Sequence, residues 1–417
     1  MRVHYVPLLS LFCLTWSIKS HGESNLADSV EYKKILQLAE QTIQQFIPDK
    51  RTAVFEIELS NGSSAPYHVI TTESDAQRHF SKLLVKHHIP PAKIMINLLP
   101  DSSVGEKVAG IVNLSVANLR VTPSNQAELA TQVLLGTQLD LLQHQEGYYR
   151  VRTPEGYIAW VSGSSVAPKT ASDLTQWQTG NKVIVTADFG HAYTHPDEQS
   201  LRVSDLVMGD ILNVSDTSGD FIQVGYPDGR KGYVKSDLVR PFDDWLGSRH
   251  LTGENVLNTA KSMMGLPYLW GGTSVKGVDC SGFTKTAFYM NGLIVPRDAS
   301  QQVLAGQPID ILSAGVLDVK KAIQNLEPGD LLFFASGTGR PANARVTHVA
   351  LYLGKGEFIH SAGFVRINSL LPEAPNYGAL DTRTLVAARR FIGQADPALQ
   401  SLDQHPYYTG KLKNHIK

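Results

Sequence analysis

Apolar positions recur at helical spacing from Asp28 to Ile47, through Ile35, Ala39, Ile43 and Phe46. Ala53 to Ser60 and Pro66 to Thr72 alternate as strands around Asn61-Gly62, a strong hairpin pair. Glu73 to His88 then reads as a helix and Lys93 to Leu99 as a strand, so residues 24–108 form an α+β unit. Two related stretches follow, 110–168 and 182–242. In the first, Gly136, Leu139 and Leu141 precede Tyr149-Arg150-Val151 and a Gly156-Tyr157-Ile158-Ala159-Trp160-Val161 strand. In the second, Gly209, Ile211 and Val214 precede Phe221-Ile222-Gln223-Val224 and Gly232-Tyr233-Val234. Short strands with tight turns predict two small β-barrels. Beyond them, a helical pattern runs from Ser281 to about Met290 and ends at Asn291-Gly292. Val349, Leu351 and Leu353 alternate with His348, Ala350 and Tyr352 in a strand, and a Gly354-Lys355-Gly356 turn leads into E-F-I-H-S-A.

Composition changes this picture little. The 417 residues suffice for several domains, and 38 basic against 39 acidic side chains give no argument for nucleic acid as a partner. The N-terminus does change it. Arg2, an apolar run from Val6 to Trp16 and Ser20-His21-Gly22 predict a signal peptide over residues 1–22, cleaved before Glu23. That run is too short to span a bilayer permanently, and no later segment is apolar enough. Phe12 before Cys13 argues against lipidation. The expectation is an exported monomer, periplasmic or extracellular, without an integral membrane segment or a disulfide.

Cys280 is then the one cysteine of the mature chain. It opens the helix at Ser281, where free N–H groups and the helix dipole favour a thiolate. A nucleophile needs a base, and the hairpin brings His348 and His360 onto neighbouring strands. A Cys–His–His relay follows: His348 takes the thiol proton and His360 orients it. Either residue alone reads more readily as structural; their order along the chain favours catalysis. His191 and His195 in H-A-Y-T-H have metal-ligand spacing but no evident third ligand, so neither a metal nor a cofactor is expected.

The stretch from Asn255 to Phe391 resembles an NlpC/P60 cysteine peptidase domain. The landmarks are P-Y-L-W-G-G at Pro267 to Gly272, D-C-S-G-F at Asp279 to Phe283, L-E-P-G-D-L-L-F-F at Leu326 to Phe334, T-H-V-A-L-Y-L-G at Thr347 to Gly354 and F-I-H-S-A at Phe358 to Ala362. The resemblance implies a papain-like α+β catalytic domain, assigned to residues 250–395, with a tail at 396–417. It implies amide hydrolysis in bacterial cell-wall peptides by Cys280, His348 and His360. V-A-N-L-R-V-T-P-S at Val116 to Ser124 resembles the start of a bacterial SH3 domain; the second barrel's A-D-F-G-H-A-Y-T-H-P start departs from that pattern.

Two SH3-like barrels before such a domain resemble the γ-D-glutamyl-L-diamino-acid endopeptidases, or dipeptidyl-peptidases VI. That resemblance implies a murein peptide with a free N-terminal L-Ala as substrate and L-Ala-γ-D-Glu as product. It maps Tyr268 to a hydroxyl lining the site, Asp279 and Ser281 to contacts with D-Glu, and Asp298 to the acid pairing with the L-Ala ammonium. From the first barrel it maps Tyr157 to the amine-binding tyrosine and Glu128 to its acidic partner. The rivals are an endopeptidase remodelling intact peptidoglycan with its barrels as anchors, a non-peptidase acyltransferase, and an inactive wall-binding module. D-C-S-G-F and the barrels argue against the acyltransferase; the intact Cys280, His348 and His360 argue against the inactive module.

Overall fold

The computed structural model describes residues 29–60, 64–378, 380 and 382–409. The expected export segment and the Asn61-Gly62 turn lie outside them. The chain forms two compact units, divided at Leu99 and Pro100.

In the first unit, α1 (Val30–Phe46) buries Tyr32, Ile35, Leu38 and Ala39. Ser29 accepts from the Tyr32 N–H as its N-cap. β1 (Phe55–Leu59) runs antiparallel to β2 (Tyr67–Thr71). α2 (Ser74–Lys86) then crosses over to β3 (Ile94–Leu98), parallel to β2. The helical and strand periods therefore predict these elements to within about two residues.

The second unit begins with a seven-stranded antiparallel sheet of β4 (Ala109–Val112), β5 (Val116–Arg120), β6 (Leu129–Leu134), β7 (Gln138–Gln145), β8 (Tyr148–Arg152), β9 (Ile158–Ser162) and β10 (Val166–Lys169). Its order is β10-β4-β7-β8-β9-β5-β6. Ala117, Leu119, Leu139, Leu141, Val151 and Val161 fill its core. After α3 (Ala171–Thr179) a second seven-stranded sheet follows: β11 (Lys182–Val185), β12 (Phe189–Tyr193), β13 (Arg202–Val207), β14 (Ile211–Ser218), β15 (Phe221–Gly225), β16 (Lys231–Lys235) and β17 (Val239–Pro241). Phe242 and Trp245 of α4 (Phe242–Gly247) join it to the largest core of the molecule.

That core belongs to the C-terminal α+β region. α5 (Gly253–Ser262), the short hairpin β18 (Thr273–Ser274) and β19 (Gly277–Val278), and α6 (Cys280–Tyr289) come first. β20 (Leu293–Ile294), α7 (Ala299–Gln302), β21 (Gln307–Ile309), the hairpin β22 (Leu312–Ser313) and β23 (Val316–Leu317), and α8 (Val319–Asn325) lead to the main strands. These are β24 (Leu331–Ser336), β25 (Val346–Gly354), β26 (Glu357–Ala362), β27 (Phe364–Ser369) and β28 (Arg383–Arg390), in the sheet order β21-β28-β24-β25-β26-β27. Phe283, Ala287 and Phe288 of α6 are fully buried, so this helix is a core element with little exposed face.

The stretch expected as a tail is structured as far as Thr409. β29 (Gln400–Ser401) pairs with β20, Leu402 is fully buried, and α9 (Pro406–Thr409) follows. The Tyr407 hydroxyl donates to Asp140, and His405 Nε2 lies 3.2 Å from the Pro154 carbonyl oxygen. Non-local burial of Leu402 and His405, with the tyrosines partly buried, explains the order, which no local periodicity announces.

Candidate active site

Helix α6 starts where it does because Asp279 caps it. The Asp279 carboxylate accepts from the Gly282 N–H at 2.6 Å and from the Gly271 N–H at 3.0 Å. One carboxylate thus fixes both the helix start and the Pro267–Gly272 turn before it. The turn lies so close that a Cβ on Gly282 would sit 1.9 Å from the Gly272 carbonyl oxygen. Gly282→Ala is therefore expected to destabilise the protein by roughly 1–3 kcal/mol or more. An unchanged thermal midpoint would contradict that close packing. Cys280 is the first residue of this helix, buried at 7% exposure.

Strands β25 and β26 carry the two histidines. His348 Nε2 lies 2.7 Å from His360 Nδ1, and His360 Nε2 lies 2.9 Å from Asn368 Oδ1. Asn368 Nδ2 donates to the Asn376 carbonyl at 2.8 Å, which fixes the amide with its oxygen toward His360. The protons follow from this end. An amide oxygen only accepts, so His360 carries its proton on Nε2 and accepts at Nδ1. His348 therefore donates from Nε2, and its Nδ1 is left as the acceptor. That leaves His348 with the free acceptor nitrogen that a general base needs. Asn368 was not among the residues singled out in the sequence. It sits on β27, whose register pairs Phe358 with Asn368 and His360 with Arg366, so all four side chains share one face of the sheet. A strand following F-I-H-S-A after a one-glycine turn was its only sequence trace.

The charge state differs from expectation. Helix position and a histidine partner argue for a thiolate, yet burial, with Asp279 adding to it, pushes the Cys280 thiol up to about 12. The N–H groups of Val349 and Ser281 and the Arg297 charge oppose this without prevailing. Burial also drives His348 well below its ordinary value, helped by Arg383, His360 and Arg366, and takes His360 to about 4. The resting pair is thus an uncharged thiol and an uncharged imidazole. Iodoacetamide should alkylate Cys280 slowly at about pH 6 and faster as the pH rises. A fast rate already present at about pH 5–6 would show the helix terminus overcoming burial.

Around Asp279 and Ser281, the hub is Arg297, which was not among the residues singled out in the sequence. Its guanidinium is fully buried. It donates to Asp279 Oδ2 at 2.7 Å, Ser281 Oγ at 2.9 Å and, across to the first sheet, Thr131 Oγ1 at 2.6 Å. Burial works against its charge, but Asp279 outweighs burial and holds it above the ordinary arginine value. Asp298 lies 3.8 Å away and caps α7 in a reciprocal box with Gln301, and the Tyr157 hydroxyl acts electrostatically on the same guanidinium. Asp279, Ser281, Asp298 and Tyr157 therefore surround one buried cation. The oxygens of Asp279 are taken by the cap, the turn and Arg297, so its part is to hold this frame. Glu128 is not in that group: its carboxylate accepts from Trp270 Nε1 at 2.8 Å. Tyr268 is half-buried beside His348, and burial raises its hydroxyl above the usual tyrosine value. Gln132 completes the seam, accepting from the Thr273 N–H at 3.0 Å.

His191 lies on β12, and His195 Nδ1 lies 3.1 Å from the Thr194 hydroxyl.

Residues 265–379 match the model of the NlpC/P60 family, and residues 119–166 that of the bacterial dipeptidyl-peptidase Sh3 domain. The dipeptidyl-peptidase 6 of Lysinibacillus sphaericus is 32% identical over 276 residues, covering 64% of this chain and 93% of that protein. The gamma-D-glutamyl-L-lysine dipeptidyl-peptidase of Bacillus cereus is 29% identical over 280 residues, covering 64% of this chain and 77% of its own. A solved NlpC/P60 family protein from Bacillus cereus superposes with a TM-score of 0.55 at 24% identity, over 68% of this chain and 99% of that structure, a likeness of fold.

Proposed function

Because the chain belongs to the NlpC/P60 family and is a cysteine peptidase, we propose that it cuts murein peptides between γ-D-Glu and the L-diamino acid. In this reading the substrate carries a free N-terminal L-Ala, and the product is L-Ala-γ-D-Glu. A relative named for γ-D-glutamyl-L-lysine supports the bond class. The observation that carries the finer reading is the buried Arg297 hub. It ties Thr131 of the first sheet to Ser281 and Asp279 beside the nucleophile, with Tyr157 and Asp298 at its edge. In this reading the first sheet closes the cleft at that end, which suits a short peptide with a free amine better than an intact glycan strand.

The steps follow from the geometry. Cys280 Sγ attacks the γ-carbonyl carbon as its proton passes to His348 Nδ1. The imidazolium then protonates the leaving amine of the diamino acid, and a thioester remains on Cys280. Water, deprotonated by His348, hydrolyses the thioester and frees L-Ala-γ-D-Glu. His360 and Asn368 hold His348 in the accepting tautomer throughout. No helix among the described residues is long and apolar enough to cross a membrane. The protein works, in this reading, as an exported monomer on wall-derived peptides.

The test is incubation with L-Ala-γ-D-Glu-L-Lys and its diaminopimelate counterpart, with products identified by mass. L-Ala-γ-D-Glu plus the free diamino acid is expected. Release of L-Ala alone, or no cleavage, would overturn the reading.

A further inference from the structure

We propose that the cleft on the leaving-group side of Cys280 is a carboxylate subsite, in which Arg366 and Arg383 hold a carboxylate of the diamino acid. This rests on the reading above, in which the diamino acid is the leaving group.

The cleft has a volume of about 480 Å³ and is lined by Tyr268, Thr347, His348, Gly363, Arg366 and Arg383, among others. Its position follows from the proton that His348 must hand to the departing amine: the leaving group has to lie on the His348 side. Ser281, Tyr157 and Asp298 do not line it. Among the described residues that line it, two are arginines and none is Asp or Glu.

Both arginines are held by the sheet. Arg366 lies directly across β26–β27 from His360, and Arg383 opens β28 opposite Ser336. The Arg366 guanidinium stacks 5.6 Å from the centre of the exposed Phe364 ring. Its Nε is buried and has no hydrogen-bond partner, and among the described residues neither arginine forms an ion pair. A buried, unpaired guanidinium nitrogen is costly unless something arrives to meet it. A planar fork on a fixed strand is suited to a carboxylate, which it can bind through two parallel hydrogen bonds.

The arrangement also has a cost for the relay. Both arginines lower the basicity of His348 and His360. An anion between them would screen that field and return basicity to His348 in the complex. The base is then strongest when the correct leaving group is bound.

Two carboxylates of the leaving group have this chemistry: the α-carboxylate of a C-terminal diamino acid and the side-chain carboxylate of diaminopimelate. The α-carboxylate of D-Glu lies on the acyl side and is the control. The experiment measures kcat/KM for L-Ala-γ-D-Glu-L-Lys, L-Ala-γ-D-Glu-diaminopimelate and the C-terminal α-amide of each. The lysine acid should be cut about 10- to 100-fold better than its amide. If the diaminopimelate amide is cut as well as its acid, the side-chain carboxylate fills the site. If it falls as the lysine amide does, the α-carboxylate fills it. Arg383→Gln and Arg366→Gln should each shrink the acid-to-amide ratio, and Arg366→Lys, which keeps the charge, should retain part of it. Cleavage of all four peptides at similar efficiency by the unmodified protein sinks the subsite alone, whatever the variants do. An unchanged ratio in both glutamine variants also sinks it, as does equal loss on acid and amide, which would put the arginines on D-Glu. Failure to cut any of the four sinks the substrate reading and the subsite with it.

Discussion

Cys280→Ala is expected to abolish peptide hydrolysis, by on the order of 10⁴-fold or more in kcat, while the protein stays folded. The side chain carries the covalent bond to the acyl group, and no other cysteine exists among the described residues. Its loss from the core removes one sulfur atom, worth about 1 kcal/mol of packing. His348→Ala should be nearly as damaging, because the thiol, pushed up to about 12, needs a base at every pH where the protein works. His360→Ala should keep more activity, and Asn368→Ala more still, since each acts through the ring before it. The order Cys280, His348, His360, Asn368 is the content of the relay. Steady-state kcat for the four variants reads it directly. If His360→Ala proved worse than His348→Ala, the roles of the two histidines would be exchanged. Substantial turnover by Cys280→Ala would remove the cysteine mechanism.

Acetylating the substrate amine should be the second large effect. In the proposed closed end of the cleft, Asp298 and Tyr157 receive the L-Ala ammonium beside the Arg297 hub. Acetylation removes the positive charge and adds bulk against the first sheet. Losing a charged hydrogen bond in such a site costs on the order of 2–5 kcal/mol, a factor of tens to thousands in kcat/KM. Asp298→Ala should erase most of that discrimination and lower activity on the free peptide. Glu128 enters this test with a different expectation, because its carboxylate is engaged by Trp270. Glu128→Gln preserves an acceptor for the indole N–H, so a large loss of amine selectivity in that variant would return Glu128 to the ammonium site. Equal cleavage of free and acetylated peptide by the unmodified protein would contradict the closed end altogether.

How much of this was legible in the sequence depends on distance along the chain. The hairpin that joins His348 to His360 spans twelve residues, and strand alternation with a glycine turn was enough to bring the rings together. Cys280 at a helix start was equally local, since Asp279 and the glycine-rich turn announce an N-terminus. The two seven-stranded sheets followed from their turn spacing. What escaped is set by contacts between segments far apart. Arg297 reaches Thr131 across 166 positions, and Tyr407 reaches Asp140 across 267. No periodicity encodes such meetings, so the buried Arg297 guanidinium went unremarked and a packed C-terminus read as a tail. The upward push on the Cys280 thiol has the same origin. Helix position is local and was visible; the depth of burial is a property of the whole core.

The central claim is that this peptidase acts on released wall peptides through a cleft closed at the amine end. The most direct measurement is a parallel digest of free L-Ala-γ-D-Glu-diamino acid peptides and intact sacculi, with every soluble product identified by mass. The account predicts L-Ala-γ-D-Glu from the free peptides and little release from sacculi. Comparable cleavage of stems still attached to glycan would contradict it and favour an enzyme that remodels the intact wall.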